Sequence, residues 1–179
     1  MHNGTTYNSR LPLWKQRLLQ AREKYMLANY AGCRDFGVPF PPNYTDQTTN
    51  GLTRCITDWL KFNGHYSNRV NCQGQVRLET IQLANGGSYK KASWTRSTTN
   101  RGTADLHCIV NGKPVSIEIK CKATRDRLRP EQLKEKQRIE SAGGLYMVAG
   151  NMEQFTQWYD EILSTHKQDL HNAKSTEKL

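Results

Sequence analysis

Gly102-Thr103-Ala104-Asp105-Leu106-His107-Cys108-Ile109-Val110-Asn111-Gly112-Lys113-Pro114-Val115-Ser116-Ile117-Glu118-Ile119-Lys120 is the stretch that decides the fold. Asn-Gly between two apolar, β-branched-rich runs is a strong hairpin signal, because both residues accept the positive φ of a type I′ turn. With Asn111 and Gly112 as the loop, Val110 pairs with Lys113, and counting outward sets Asp105 opposite Glu118. Opposed residues of an antiparallel pair point to one side, with Cβ atoms about 5 Å apart. The two-residue strand period returns Lys120 to that face and places His107 on it, while Ile117 and Ile119 point into a core. A three-residue loop would slip the register by one and turn one carboxylate away.

Two facing carboxylates repel each other, and a divalent cation between them reverses the sign of that interaction. Oxygen-only ligands suit Mg²⁺ or Mn²⁺, which keep positions open for water and phosphate. A neighbouring lysine can orient or activate an attacking water, or steady charge on a phosphate. The pattern therefore points to metal-assisted phosphodiester hydrolysis. The competing reading is a solvated strand face with a weak surface ion pair.

Gly102-x-x-Asp105, the short hairpin, Ile117-Glu118-Ile119-Lys120, a basic stretch and a helix opening Pro130-Glu131-Gln132 together resemble the PD-(D/E)XK nuclease superfamily. The branch most similar is the VRR-NUC domain of phage and cellular structure-specific nucleases, related to Holliday-junction resolvases. The resemblance covers roughly Leu52 to Ile162. It implies a restriction-endonuclease-like core, with metal held by Asp105, Glu118 and the Ile119 carbonyl. It also implies that Lys120 works on the nucleophilic water and that Gln132 supports the site. Many relatives carry a glutamate early in the first domain helix, where this chain has Thr53, Arg54 and Thr57, so one-metal and two-metal sites both stay open.

Composition agrees with a polyanionic partner. Twenty-six Lys and Arg against sixteen Asp and Glu give a net charge of +10 over 179 residues, enough chain for one domain with a real core. Lys90, Lys91, Arg96 and Arg101 lie upstream of the acidic hairpin, and Lys122 and Arg125 lie downstream. These six are the expected nucleic-acid contacts, with DNA favoured over RNA, and Trp94 is either a base-stacking or a packing residue. Five cysteines without zinc spacing, Cys108 and Cys121 among the inward-facing set, fit a reducing cytoplasm. No apolar run approaches the ~18 residues of a membrane span.

The expected organisation has three parts. Residues 1–50 hold an amphipathic helix from Leu13 to Tyr30, stopped at Gly32, and a proline-containing connector. Whether this segment dimerises, contacts DNA or lies on the core stays open. Residues 51–166 form the nuclease domain. It contains a helix from Asn50 to Gly64, strands Tyr66–Val70 and Gln75–Leu83, a basic loop to Arg101, the acidic hairpin, a helix from Pro130 to about Ser141, a buried central strand Leu145–Ala149, and a closing helix Met152–His166. Residues 167–179 form a disordered tail.

The fold class expected is α/β, a central mixed sheet flanked by helices with an N-terminal helical extension. The expected activity is Mg²⁺- or Mn²⁺-dependent DNA hydrolysis, by a structure-specific endonuclease. A non-catalytic DNA-binding module of the same fold, a homodimeric four-way-junction resolvase and a restriction-type enzyme stand as alternatives.

Overall fold

A computed structural model describes residues 10–70, 74–95, 100–124 and 127–176. The order is α1 (Leu13–Asn29), α2 (Ala31–Phe36), α3 (Thr49–Phe62), β1 (Tyr66–Arg69), β2 (Gln75–Gln82), β3 (Ser88–Thr95), β4 (Leu106–Val110), β5 (Lys113–Ile119), a 3-10 turn (Lys122–Thr124), α4 (Pro130–Ser141), β6 (Leu145–Ala149) and α5 (Met152–Thr176). One four-stranded sheet has the order β1-β4-β5-β6, and β2 and β3 form a separate two-stranded ribbon.

The acidic hairpin has the expected register. Asn111 (φ 49°) and Gly112 (φ 76°) both occupy the left-handed region, and Val110 pairs with Lys113. β1 joins the β4 side antiparallel, while β6 runs parallel to β5, so the sheet is mixed. Its apolar face carries Leu106, Cys108, Val110, Val115, Ile117 and Ile119, all buried. Each large apolar side chain withdrawn from water there is worth about 1.5–3 kcal/mol.

Helices cover that face because their apolar residues recur at helical spacing. In α3, Leu52, Ile56, Trp59 and Leu60 fall on one buried stripe. The Thr48 side chain caps the helix by accepting from the Gly51 N–H at 3.1 Å. Trp59 meets Phe155 and Tyr159 of α5 edge-on, with ring centroids 6.3 and 5.8 Å away.

The N-terminal segment lies on the core. Leu18, Leu19 and Tyr44 join the same buried cluster as the sheet, and Arg17 forms a two-pronged pair with Asp160 of α5 at 2.7 and 2.8 Å.

Four sequence expectations change. Gly32 sits inside α2, because α1 already ends at Asn29 with Tyr30 in an extended conformation. Residues 88–95, expected as loop, pair with β2 as a strand. β6 is largely buried but lies at the end of the sheet, and β4 and β5 are the strands with neighbours on both sides. α5 continues to Thr176, through ten residues that composition assigns to a tail.

Candidate functional site

The hairpin register extends one position past the last ladder pair. Leu106 opposes Ile117, so Asp105 and Glu118 come next, Asp105 just before β4 begins and Glu118 still within β5, where it pairs with Val148 of β6. Asp105 is held twice. Its Oδ2 accepts from the Ile119 N–H at 2.9 Å, and its backbone carbonyl accepts from the Val70 N–H at 2.9 Å. Asp105 is thus anchored across β5 on one side and β1 on the other.

Glu118 is 3% exposed and Lys120 9%, and the Lys120 Nζ stands 3.1 Å from Glu118 Oε1. A carboxylate withdrawn this far from water needs a counter-charge and hydrogen bonds. Lys120 supplies the charge, and the Gln132 amide donates to the same Oε1. Gln132 Oε1 in turn accepts from the Arg129 N–H at 2.9 Å, capping the start of α4. One side chain thereby joins the first turn of α4 to β5, an inner strand of the sheet.

A polar row crosses the sheet beside this pair. Asn68 opposes His107, His107 opposes Ser116, and Ser116 aligns with Tyr146. The Ser116 hydroxyl and His107 Nδ1 are 3.0 Å apart. The Tyr146 hydroxyl is buried and makes no hydrogen bond among the described residues. Burial raises its pKa above the usual tyrosine range, and the nearby charges of Glu118, Asp105 and Glu135 add to the effect.

No protein-family model matches this chain, and no curated protein matches it.

The residues themselves must carry the functional reading. The donors read from the sequence are two carboxylates and the Ile119 carbonyl, all hard oxygens of the kind that Mg²⁺ or Mn²⁺ takes. Among the described residues no three His, Cys, Asp or Glu side chains gather around one point. A cation held here would use two carboxylates and complete its shell from backbone oxygen, water or phosphate, and the residues present fit that arrangement. The first domain helix offers no carboxylate at the positions considered. Thr53 and Thr57 turn their hydroxyls onto α3 carbonyls at 2.7 and 2.8 Å, and Arg54 stands 4.0 Å from Asp58.

Of the six expected nucleic-acid contacts, the four that are described are spread out. Lys90 and Lys91 lie exposed on β3 and point to opposite faces of the ribbon. Arg101 is exposed beside Gly102. The stem of Lys122 lies against Gly150, and Lys122 lines a cavity with Arg17, Asp46 and Asn151 where α1 meets the start of α5. Arg96 and Arg125 fall outside the described residues.

Sequence reasoning missed Tyr146, Ser116 and Glu135. Tyr146 was hidden in an apolar run, and only pairing with β5 brings it to the polar face. Glu135 follows Gln132 by three residues, so helical spacing was a usable signal for it.

Among the described residues no helix is long and apolar enough to cross a membrane.

Proposed function

We propose that this chain is a metal-dependent nuclease that hydrolyses phosphodiester bonds in DNA as a structure-specific endonuclease, on a restriction-endonuclease-like core of the VRR-NUC kind. The observation that carries the reading is the joint anchoring of Asp105 and Glu118 on one sheet face, with Lys120 and Gln132 both bound to Glu118 Oε1. A solvated strand face would leave these groups in water, yet Glu118 is buried. The protein has invested folding energy in holding a charge where water is scarce.

Asp105 and Glu118 would hold the cation, with the Ile119 carbonyl as a third donor. When bound, Mg²⁺ or Mn²⁺ polarises the phosphate and lowers the pKa of a coordinated water. Lys120 orients the attacking water and offsets charge growing on the phosphate oxygens. Gln132 fixes the direction of the Glu118 carboxylate, and the net charge of +10 favours association with the polyanion.

The test is incubation of purified protein with plasmid, linear, branched and single-stranded DNA, with and without Mg²⁺ or Mn²⁺. Metal-dependent cutting should vanish in Asp105→Asn and Glu118→Gln while DNA affinity stays within about twofold, because phosphate contacts from Lys and Arg dominate binding. Absence of metal-dependent cutting, or cutting that survives both substitutions, would overturn the assignment.

A further inference from the structure

The β2–β3 ribbon presents large apolar side chains to water: Val76 is 61% exposed, Leu78 68% and Trp94 68%. Register puts all three on one face, because Val76 opposes Trp94 and Leu78 opposes Ala92. Lys90 falls on that face as well, opposite Thr80. The ribbon's charged residues are Arg77, Lys90 and Lys91 against Glu79 alone. The Trp94 ring lies against Gly74, where an added Cβ would clash with the indole. The rest of the ring faces solvent.

The ends of the ribbon are close in sequence to the candidate site. Gln75 comes five residues after Val70, whose N–H binds the Asp105 carbonyl. Thr95 comes five residues before Asn100, whose carbonyl accepts from the Thr103 hydroxyl at 2.8 Å.

We infer that this face binds an unpaired stretch of nucleic acid, its bases stacking on Trp94 and the neighbouring apolar side chains while Lys90 meets the phosphates. The inference rests on the nuclease reading for its purpose, and it assigns that nuclease a substrate class: DNA with a single-stranded segment near the cut. Base faces are open to an indole only where strands are unpaired, whereas a duplex offers phosphates and groove edges. A second copy of the chain is a poorer occupant. A two-fold pairing through this face sets Lys90 against apolar side chains or against its own counterpart.

The test measures fluorescence anisotropy of labelled oligo(dT) and of a duplex of equal length with the full chain in EDTA, where nothing is cut. Trp94→Ala should weaken oligo(dT) binding relative to duplex by about tenfold or more, and Trp94→Phe should retain most of it. Equal changes for both probes, or none, would overturn the inference. So would light scattering that finds a wild-type dimer made monomeric by Trp94→Ala. Because the readout needs neither metal nor cleavage, its failure is separate from failure of the Asp105 and Glu118 test. Thermal unfolding of both variants should match the wild type, since the indole is exposed.

Discussion

The Gln132 side chain on the first turn of α4 donates its amide to the carboxylate of Glu118 on β5, fourteen residues earlier. Its other end accepts from the Arg129 N–H. The same residue therefore caps a helix and orients a buried acid. On the proposed nuclease reading, Gln132→Ala should lower metal affinity or cleavage rate by about 10–100-fold, the usual cost of losing an outer partner of a ligand. It should also cost about 1 kcal/mol in stability through the lost cap. Metal titration of cleavage and thermal unfolding read the two effects separately.

Lys120 and Glu118 form a nearly buried ion pair. Removing one partner strands the other away from water. Lys120→Ala should destabilise the protein by about 3–5 kcal/mol, measured by urea unfolding. The double change Lys120→Met with Glu118→Leu should recover much of that stability while leaving cleavage abolished. A surface pair would show neither effect.

Gly102 has φ +86°, and a Cβ there would meet the Glu131 carbonyl at 2.4 Å. Gly102→Ala should cost more than about 1 kcal/mol, because both backbone conformation and close approach to α4 are compromised. The strain falls three residues before Asp105, so cleavage should drop as well. A melting temperature equal to wild type would refute the expectation.

His65 sits between α3 and α5, with Nε2 2.8 Å from the Tyr159 hydroxyl. Burial lowers its pKa from the ordinary 6.5. The unfolded chain thus takes up a proton at a higher pH than the folded protein. The stability contribution is complete above about pH 6.5 and declines as pH falls from there through the folded pKa. His65→Gln should show a shallower loss of melting temperature between about pH 7 and pH 5 than wild type. Parallel curves would exclude His65 as the source.

Cys55 and Cys108 are buried, and burial pushes both thiols up to about 12. Thiolate is the reactive form, so neither should react with a disulfide reagent at neutral pH until the protein unfolds. Labelling followed by mass spectrometry should find both unmodified in the native state and modified in urea.

Much of the site was legible because its signals are local. Asn111-Gly112 sets the turn, and period two then places Asp105, Glu118 and Lys120 without knowledge of the rest of the chain. The Gln132 link could be expected only from the family resemblance, since the hairpin pattern says nothing of α4. The 88–95 strand escaped notice because its residues Ser88-Tyr89-Lys90-Lys91-Ala92-Ser93-Trp94 are mostly polar, and its partner alone makes it a strand. Gly32 misled because a glycine near a helix end reads as a stop, whereas here the break falls at extended Tyr30.

The chain by itself determined the hairpin, its register, the apolar stripe of α3 and the three charged residues on one face, because turn chemistry and side-chain periodicity act over a few residues. Only the tertiary structure decided that Glu118 is buried, that Tyr146 comes to its side of the sheet, that α1 rests on α5 through Arg17 and Asp160, and that the ribbon stands exposed. Those facts depend on which distant segments pack together, and packing is settled by the burial and pairing of the whole molecule at once.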